Sequence, residues 1–427
     1  MHLHSFLRVF LLAVAGVGFF GCAEAMEPPV EPPVEPPVDD PESESPRGRI
    51  LSEELLAEYS LEELIDLLST HNALIPTAVG VEFPIEIRRV VYETIDVKGA
   101  PTVASGTVVI PSDATHQMPL LSFQHGTLYR KIDAPSLNEK NAARIIALGM
   151  AGAGYLTVSP DYLGLGIAAV ENNVGLHPYM HAKSEASAVI DLMRAARHII
   201  EKTSLQLSGE VYLVGYSQGG HASMAAAMLI ETTPALKDEF NIAGAAPMAG
   251  PYDVSGVQSE VITSNEPYAQ PAYLPYVLFS YNSAYELFDA PIDVFVEPYA
   301  SSLQALFDGE HSARQVNRAV TDVPNEILQP EVLAAFRAGK EDHPFFQALI
   351  DNDVYDWSPS FPMRMYHCEG DQIVLYANSE VALAAFRAQG ATDVEIVSMG
   401  ENLGHVDCAL PSLLDAKEWF DLLVRGS

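Results

Sequence analysis

The chain has 427 residues, with 57 acidic side chains against 23 basic ones for a net charge of −34, and 48% of its residues are hydrophobic. That hydrophobic fraction excludes a wholly disordered chain. The acidity, with no basic run to offset it locally, repels phosphate backbones and excludes nucleic acid as a partner. The length admits one large α/β domain or several ordinary ones, so the domain count has to come from pattern.

Residues 1–25 read as an export signal: His2, His4 and Arg8 give a weakly basic start, Val9 to Phe20 is apolar, and small residues follow at Gly21-Cys22-Ala23. The apolar run is too short to favour a bilayer-spanning helix. Two processing routes fit. Gly21-Cys22 resembles the end of a bacterial lipoprotein signal, with lipid on Cys22, whereas Ala23-Glu24-Ala25 would serve as an ordinary A-x-A cleavage site. The expected location is therefore outside the cytoplasm, as a cell-surface or outer-membrane lipoprotein by the first route and secreted or periplasmic by the second. The only membrane contact expected is that lipid anchor. Residues 26–49 form a spacer whose triple Glu-Pro-Pro-Val repeat, from Glu27 to Val38, precludes helix and favours an extended polyproline conformation.

Residues 50–427 read as one folded unit. Apolar spacing predicts a helix over Ser52 to Ser69 with Ser52 as N-cap. Ile85 to Ile95 and Val103 to Ile110 alternate apolar and polar residues and predict a two-stranded opening to a sheet. From there short apolar strands alternate with longer helices. Strands are expected at Leu120–Gln124, Tyr155–Ser159, Val211–Val214, Ile242–Met248, Met363–His367 and Val394–Ser398. Helices are expected at Asn141–Ala153, His181–Lys202, Gly219–Ile230, Ser379–Gln389 and Leu413–Val424. This order implies a mostly parallel, buried central sheet flanked by helices. Residues 252–361 interrupt it with a stretch rich in Tyr, Phe, Leu and Pro, expected to form a helical cap.

Chemistry concentrates at three residues. Gly215-Tyr216-Ser217-Gln218-Gly219 fits G-x-S-x-G and sits between the apolar strand VYLV and an Ala-rich helix, the setting of a nucleophile elbow. A serine nucleophile needs a base in hydrogen-bond reach and an acid to orient that base, and on such a scaffold the acid and then the histidine follow the serine in the chain. His405 in NLGHVD lies beyond the strand EIVS, where the final loop returns over the site. Asp371 in CEGDQIV follows the strand MRMYH, with Glu369 and Asp407 as competing acids. Cys368 lies three residues before Asp371 and Cys408 three after His405, so a disulfide between them is expected in an exported chain. Two backbone donors for a tetrahedral oxyanion are expected from the amide of Gln218 and from the loop His125-Gly126-Thr127, through Gly126 or Thr127. His125 is expected only to brace that loop and His221 to pack or cap its helix. His177 and His181 are four apart but interrupted by Pro178, and with no third ligand evident no metal site is expected.

The set QHGT, SPDYLGLG, HPYMHAKSEASAVIDLMRAAR, GYSQGGHA, CEGDQIV and GHVDC, in this order from about Glu82 to the C-terminus, resembles the secreted lipase family of the α/β-hydrolase superfamily, typified by fungal lipase A and its bacterial relatives. The resemblance implies an α/β-hydrolase fold, with the cap inserted before the strand that carries the acid. It also implies a carboxylic-ester hydrolase with Ser217 as nucleophile, Asp371 as acid and His405 as base, an ester or lipid substrate, and no cofactor. Asp161, Gly164 and Gly166 resemble the family too, in a loop role. A polysaccharide acetyl or feruloyl esterase, a serine peptidase and a catalytically silent surface-binding protein remain as alternatives.

Overall fold

The computed structural model describes residues 47–426 apart from 173, 175 and 340–342; the expected export signal, Cys22 and the repeat from Glu27 to Val38 lie outside the described residues. In chain order the elements that position the site are β1 (Ile50–Tyr59), α1 (Leu61–His71), β2 (Ile85–Ile95), β3 (Pro101–Pro111), β4 (Met118–Gln124), α2 (Ala142–Gly152), β5 (Leu156–Pro160), α3 (Ala182–Ile200), β6 (Leu207–Tyr216), α4 (Gln218–Thr232), β7 (Asn241–Met248), α5 (Tyr273–Tyr285), β8 (Met363–His367), α6 (Ala377–Ala388), β9 (Val394–Ser398) and α7 (His405–Gly426). The nine strands form one sheet in the order β1-β2-β3-β5-β4-β6-β7-β8-β9. β1, β2, β3 and β5 pair antiparallel, and every pairing from β5 through β4 to β9 is parallel. This is the mostly parallel sheet that the sequence pattern implied, in the α/β-hydrolase order that the family resemblance implied.

The period-2 alternation of the central strands assigns their side chains to two cores. Leu120, Val211, Leu213 and Ala245 pack with α3 and α4 on one face, and Leu121, Phe123, Tyr212, Val214 and Ala246 pack with α2 and α7 on the other. A parallel sheet covered on both faces has no solvent side, so β4 is buried at every position. Residues between β7 and β8 form short helices, including α5, around their own aromatic core of Tyr276, Phe279, Phe295, Phe307 and Phe345.

Two expected elements differ. Ser52–Ser69 is not one helix: its first part is the edge strand β1, paired along β2 with ion pairs Arg88–Glu53 and Arg89–Glu54, and α1 begins only after Ser60. The two-stranded opening is therefore three-stranded. Ser60 is the true N-cap, in a reciprocal capping box with Glu63, whereas Ser52 has Leu at the third position after it and cannot form one. The C-terminal helix starts at His405 and not at Leu413, because Pro411 lies within its early turns and broke the apparent pattern.

Candidate active site

Four loops at the carboxyl ends of β4, β6, β8 and β9 meet in one place, the edge at which open α/β sheets bind ligands. Ser217 stands between β6 and α4 with φ 62° and ψ −121°. A serine with positive φ is strained by about 1–3 kcal/mol, and such a conformation persists only where the surroundings over-determine it. Here they do. The Ser217 amide donates to the Met248 carbonyl at 2.9 Å. A Cβ on Gly219 would lie 2.1 Å from the Gln124 carbonyl oxygen, and one on Gly215 2.4 Å from the Gly219 carbonyl oxygen. The glycines of the motif are thus required by close backbone approach.

Ser217 Oγ is 2.9 Å from His405 Nε2, and His405 Nδ1 is 2.6 Å from Asp371 Oδ2. With the aspartate ionised, the imidazole proton sits on Nδ1 and Nε2 is left to accept from the serine hydroxyl. Burial by itself would raise the Asp371 carboxyl, but hydrogen bonds with His367 and His405 and from the Ile373 amide hold it well below the usual carboxylate range. Its second oxygen accepts from the amides of Ile373 and Val374 at 2.9 and 3.0 Å. Tyr216 donates from its hydroxyl to the His405 carbonyl at 2.5 Å and places its ring against the imidazole, fixing the start of α7. The structure therefore brings Ser217, His405 and Asp371 together, and leaves Glu369 and Asp407 exposed.

Cys368 and Cys408 form a disulfide, buried and with Cα atoms 6.0 Å apart, that joins the loop after β8 to the first turn of α7. Gly126 lies against the elbow: a Cβ there would sit 3.3 Å from the Tyr216 carbonyl oxygen and 3.7 Å from Ser217 Cβ. Thr127 bonds Tyr179 through its hydroxyl at 3.0 Å. Gln218 opens α4, so its N–H has no acceptor within the helix. His125 braces the β4 loop, with ring nitrogens 2.7 and 3.2 Å from the carbonyls of Gly126 and Asp161. Asp161 accepts from Ser105 Oγ at 2.6 Å and from the Ser136 amide at 2.9 Å, which ties loops together. A cavity beside Ser217 is walled by Met180, Val254, Ile262, Val277, Leu349 and Val374, with Tyr268 and Tyr273 also in its lining.

Four histidines make contacts that the sequence did not disclose. His221 neither simply packs nor caps its helix; it pairs with Glu185 at 2.7 Å, both side chains being fully buried. His177 accepts from the Gln218 side-chain amide at 2.8 Å, and burial lowers the ring to about 4, keeping it neutral. His367 lies 3.4 Å from Asp371 Oδ2 and 2.9 Å from the Val374 carbonyl. His181 accepts from the Ser184 amide as N-cap of α3. Glu185 was missed because a glutamate in an amphipathic helix ordinarily faces solvent, and only the proximity of helix and elbow buries this one. Among the described residues no group of three or more His, Cys, Asp or Glu side chains is arranged to hold a metal ion, and no helix is long and apolar enough to cross a membrane.

Comparison with known proteins agrees with this class of fold. The secretory lipase family model matches residues 140–423, and the chain belongs to that family. Among solved structures it is similar to a putative hydrolase from Legionella pneumophila, at 29% identity and TM-score 0.79 over 88% of this chain and 98% of that one. It is also similar to the rice cell wall degrading esterase LipA from Xanthomonas oryzae, at 29% identity and TM-score 0.74 over 89% and 98%. Candida antarctica lipase A in its closed state shares the fold at 19% identity and TM-score 0.63 over 88% of this chain and 83% of that one. No curated protein matches the chain at a significant level.

Proposed function

We propose that the chain is an exported carboxylic-ester hydrolase working through Ser217, His405 and Asp371 and an acyl-enzyme. The observation that carries the reading is the hydrogen-bonded series from Ser217 Oγ through the imidazole to Asp371, on a serine held in a strained elbow. His405 Nε2 takes the Ser217 proton as Oγ bonds to the ester carbonyl carbon. The oxyanion is received by the Gln218 amide and by an amide of the Gly126–Thr127 loop, and the alcohol leaves with the proton from His405. Water then attacks the acyl-enzyme by the same route, and Ser217 is regenerated with release of the acid. Asp371 stays ionised throughout and stabilises the imidazolium. Export is supported by the signal-like N-terminus and by the secretory character of the family, with Cys22 as the residue that would carry a lipid anchor.

Ser217→Ala should lower kcat by on the order of 10⁶ with the fold intact. A fluorophosphonate probe should label the parent and not the variant, and equal labelling of both would remove Ser217 from its role. A second reading, hydrolysis of plant cell-wall esters, is favoured by the likeness to the Xanthomonas esterase over 89% of this chain. A hydrolysis profile across alkanoyl, feruloyl and acetylated-polysaccharide esters separates the two.

A further inference from the structure

Behind the elbow lies a group of buried polar side chains that the reaction as described does not use. Glu185, near the start of α3, is 1% exposed, and its two oxygens serve different partners. Oε1 accepts from Gln218 Nε2 at 2.8 Å, and Oε2 faces His221 Nδ1 at 2.7 Å. The other N–H of the Gln218 amide goes to His177 Nε2, whose Nδ1 donates to the Leu163 carbonyl at 2.7 Å. The far nitrogen of His221 faces the Asn352 carbonyl at 2.9 Å, and Asn352 in turn accepts from the Ala182 amide at 2.8 Å and donates to the Tyr285 hydroxyl at 2.9 Å. Burial disfavours the Glu185 charge, yet His221 and the Gln218 amide outweigh it and hold the carboxyl below its ordinary value.

A buried charge is a poor way to gain stability, because desolvation costs several kcal/mol and an apolar group of the same shape often does as well or better. What this charge does accomplish is geometric. Among the described residues Gln218 Oε1 has no hydrogen-bond partner, so the side chain is oriented by its two N–H bonds, to Glu185 and to His177. That side chain belongs to the residue whose main-chain N–H follows a strained serine. Relaxation of Ser217 from φ 62°, ψ −121° would turn this peptide, and anchoring Gln218 from behind opposes the turn. We propose that Glu185 is a positioning residue of the reaction: it acts through Gln218 to keep the amide after Ser217 aimed at the oxyanion. The proposal rests on the ester-hydrolase reading above.

The test is a double-variant cycle on an ester such as p-nitrophenyl butyrate, with Glu185→Leu, Gln218→Leu and both together. Each single variant should lower kcat by about 10- to 100-fold, the size of a small misplacement of a reacting group, with KM within about twofold. The double variant should be no worse than the weaker single one, since both remove the same tether. Glu185→Gln, whose carbonyl still accepts from Gln218, should recover most of the rate. Unchanged kcat in the single variants, losses confined to KM, or losses that multiply in the double variant would each overturn the proposal. If Glu185→Leu does not fold, Gln218→Leu and Glu185→Gln decide the matter by the same kcat and KM criteria. Ser217→Ala is the control: an unmodified chain that cleaves no ester, or activity surviving in Ser217→Ala, breaks the underlying reading. Full activity in the Glu185 and Gln218 variants with that control intact breaks only this inference.

Discussion

Ser217 is held by neighbours that leave no room for adjustment, and the sequence announces this only through its glycines. Because a Cβ on Gly219 would overlap the Gln124 carbonyl, a backbone atom that cannot rotate away, Gly219→Ala should abolish fluorophosphonate labelling and lower the melting temperature. Labelling at the parental rate would show that the elbow tolerates a side chain there. Asp371→Asn keeps the shape of the carboxylate but not the charge that fixes the His405 tautomer, so kcat should fall by about 10⁴, read on any cleaved ester. Since the Asp371 pKa is depressed in the folded state, its contribution to stability is fully present above the ordinary carboxylate value of about 4. That contribution is lost as pH falls below this value toward the folded one. Ser217 and His405 were legible because motif and chain order restrict the choices sharply. Asp371 was chosen over Glu369 and Asp407 by loop position, and burial is what separates them physically. Glu185, His177 and His367 were not legible: their roles depend on which helix packs behind which loop, and no local pattern encodes that.

Strands whose pattern is reinforced by burial match the sequence reading, as does the edge strand β9, whereas the edge strand β1 does not. β4 and β5 are buried at every position because both faces are covered, and they read as short strands bounded by breaks in the pattern. β1 has one strand neighbour and mostly exposed side chains, so its glutamates and leucines mimic an amphipathic helix. The discriminating signal was Ser60-Leu61-Glu62-Glu63, an S-x-x-E capping box that marks where α1 begins. Ser60→Ala should therefore cost about 1 kcal/mol, measured by denaturant unfolding, and Ser52→Ala close to nothing. In the segment between β7 and β8, burial pushes Asp353 up to about 6 despite bonds from the Ser255 amide and hydroxyl. A raised carboxyl favours folding in its protonated form, so its stabilising contribution is present below the unfolded value of about 4 and lost as pH rises through about 6. Asp353→Asn should accordingly raise stability at pH 8 by at most about 3 kcal/mol and change little at pH 4, a contrast that thermal melts at the two pH values would reveal.

At the scale of the whole molecule, the loops after β4, β6, β8 and β9 meet at the carboxyl edge of the sheet, and the segment between β7 and β8 supplies most of the wall beside Ser217. The disulfide closes a loop of 40 residues in sequence separation around the acid and the base. In the chain-entropy picture its removal as Cys368→Ser with Cys408→Ser should cost about 4 kcal/mol, and activity should become heat-labile before the rest of the fold does. The aromatic density of residues 252–361 was legible as composition, but its division of labour was not. Tyr276, Phe279, Tyr281 and Phe345 build the segment's own core, and Tyr268, which shares that core, and Tyr273 line the cavity at Ser217. Around those two tyrosines the wall is mostly Met180, Val254, Ile262, Val277, Leu349 and Val374, with Gln258 as a polar member, so most of its surface suits an alkyl chain better than a hydroxylated sugar. Each methylene buried against such a wall is worth at most about 0.8 kcal/mol, or about fourfold in kcat/KM. A series of p-nitrophenyl esters should therefore rise from acetyl through medium chain lengths and level off when the cavity is full, with Val277→Asp lowering the slope and leaving acetyl turnover nearly unchanged. If kcat/KM peaks at acetyl or feruloyl esters and falls steadily with alkyl length, the apolar wall does not receive the acyl group, and the cell-wall ester reading takes its place with Ser217, His405 and Asp371 unaltered.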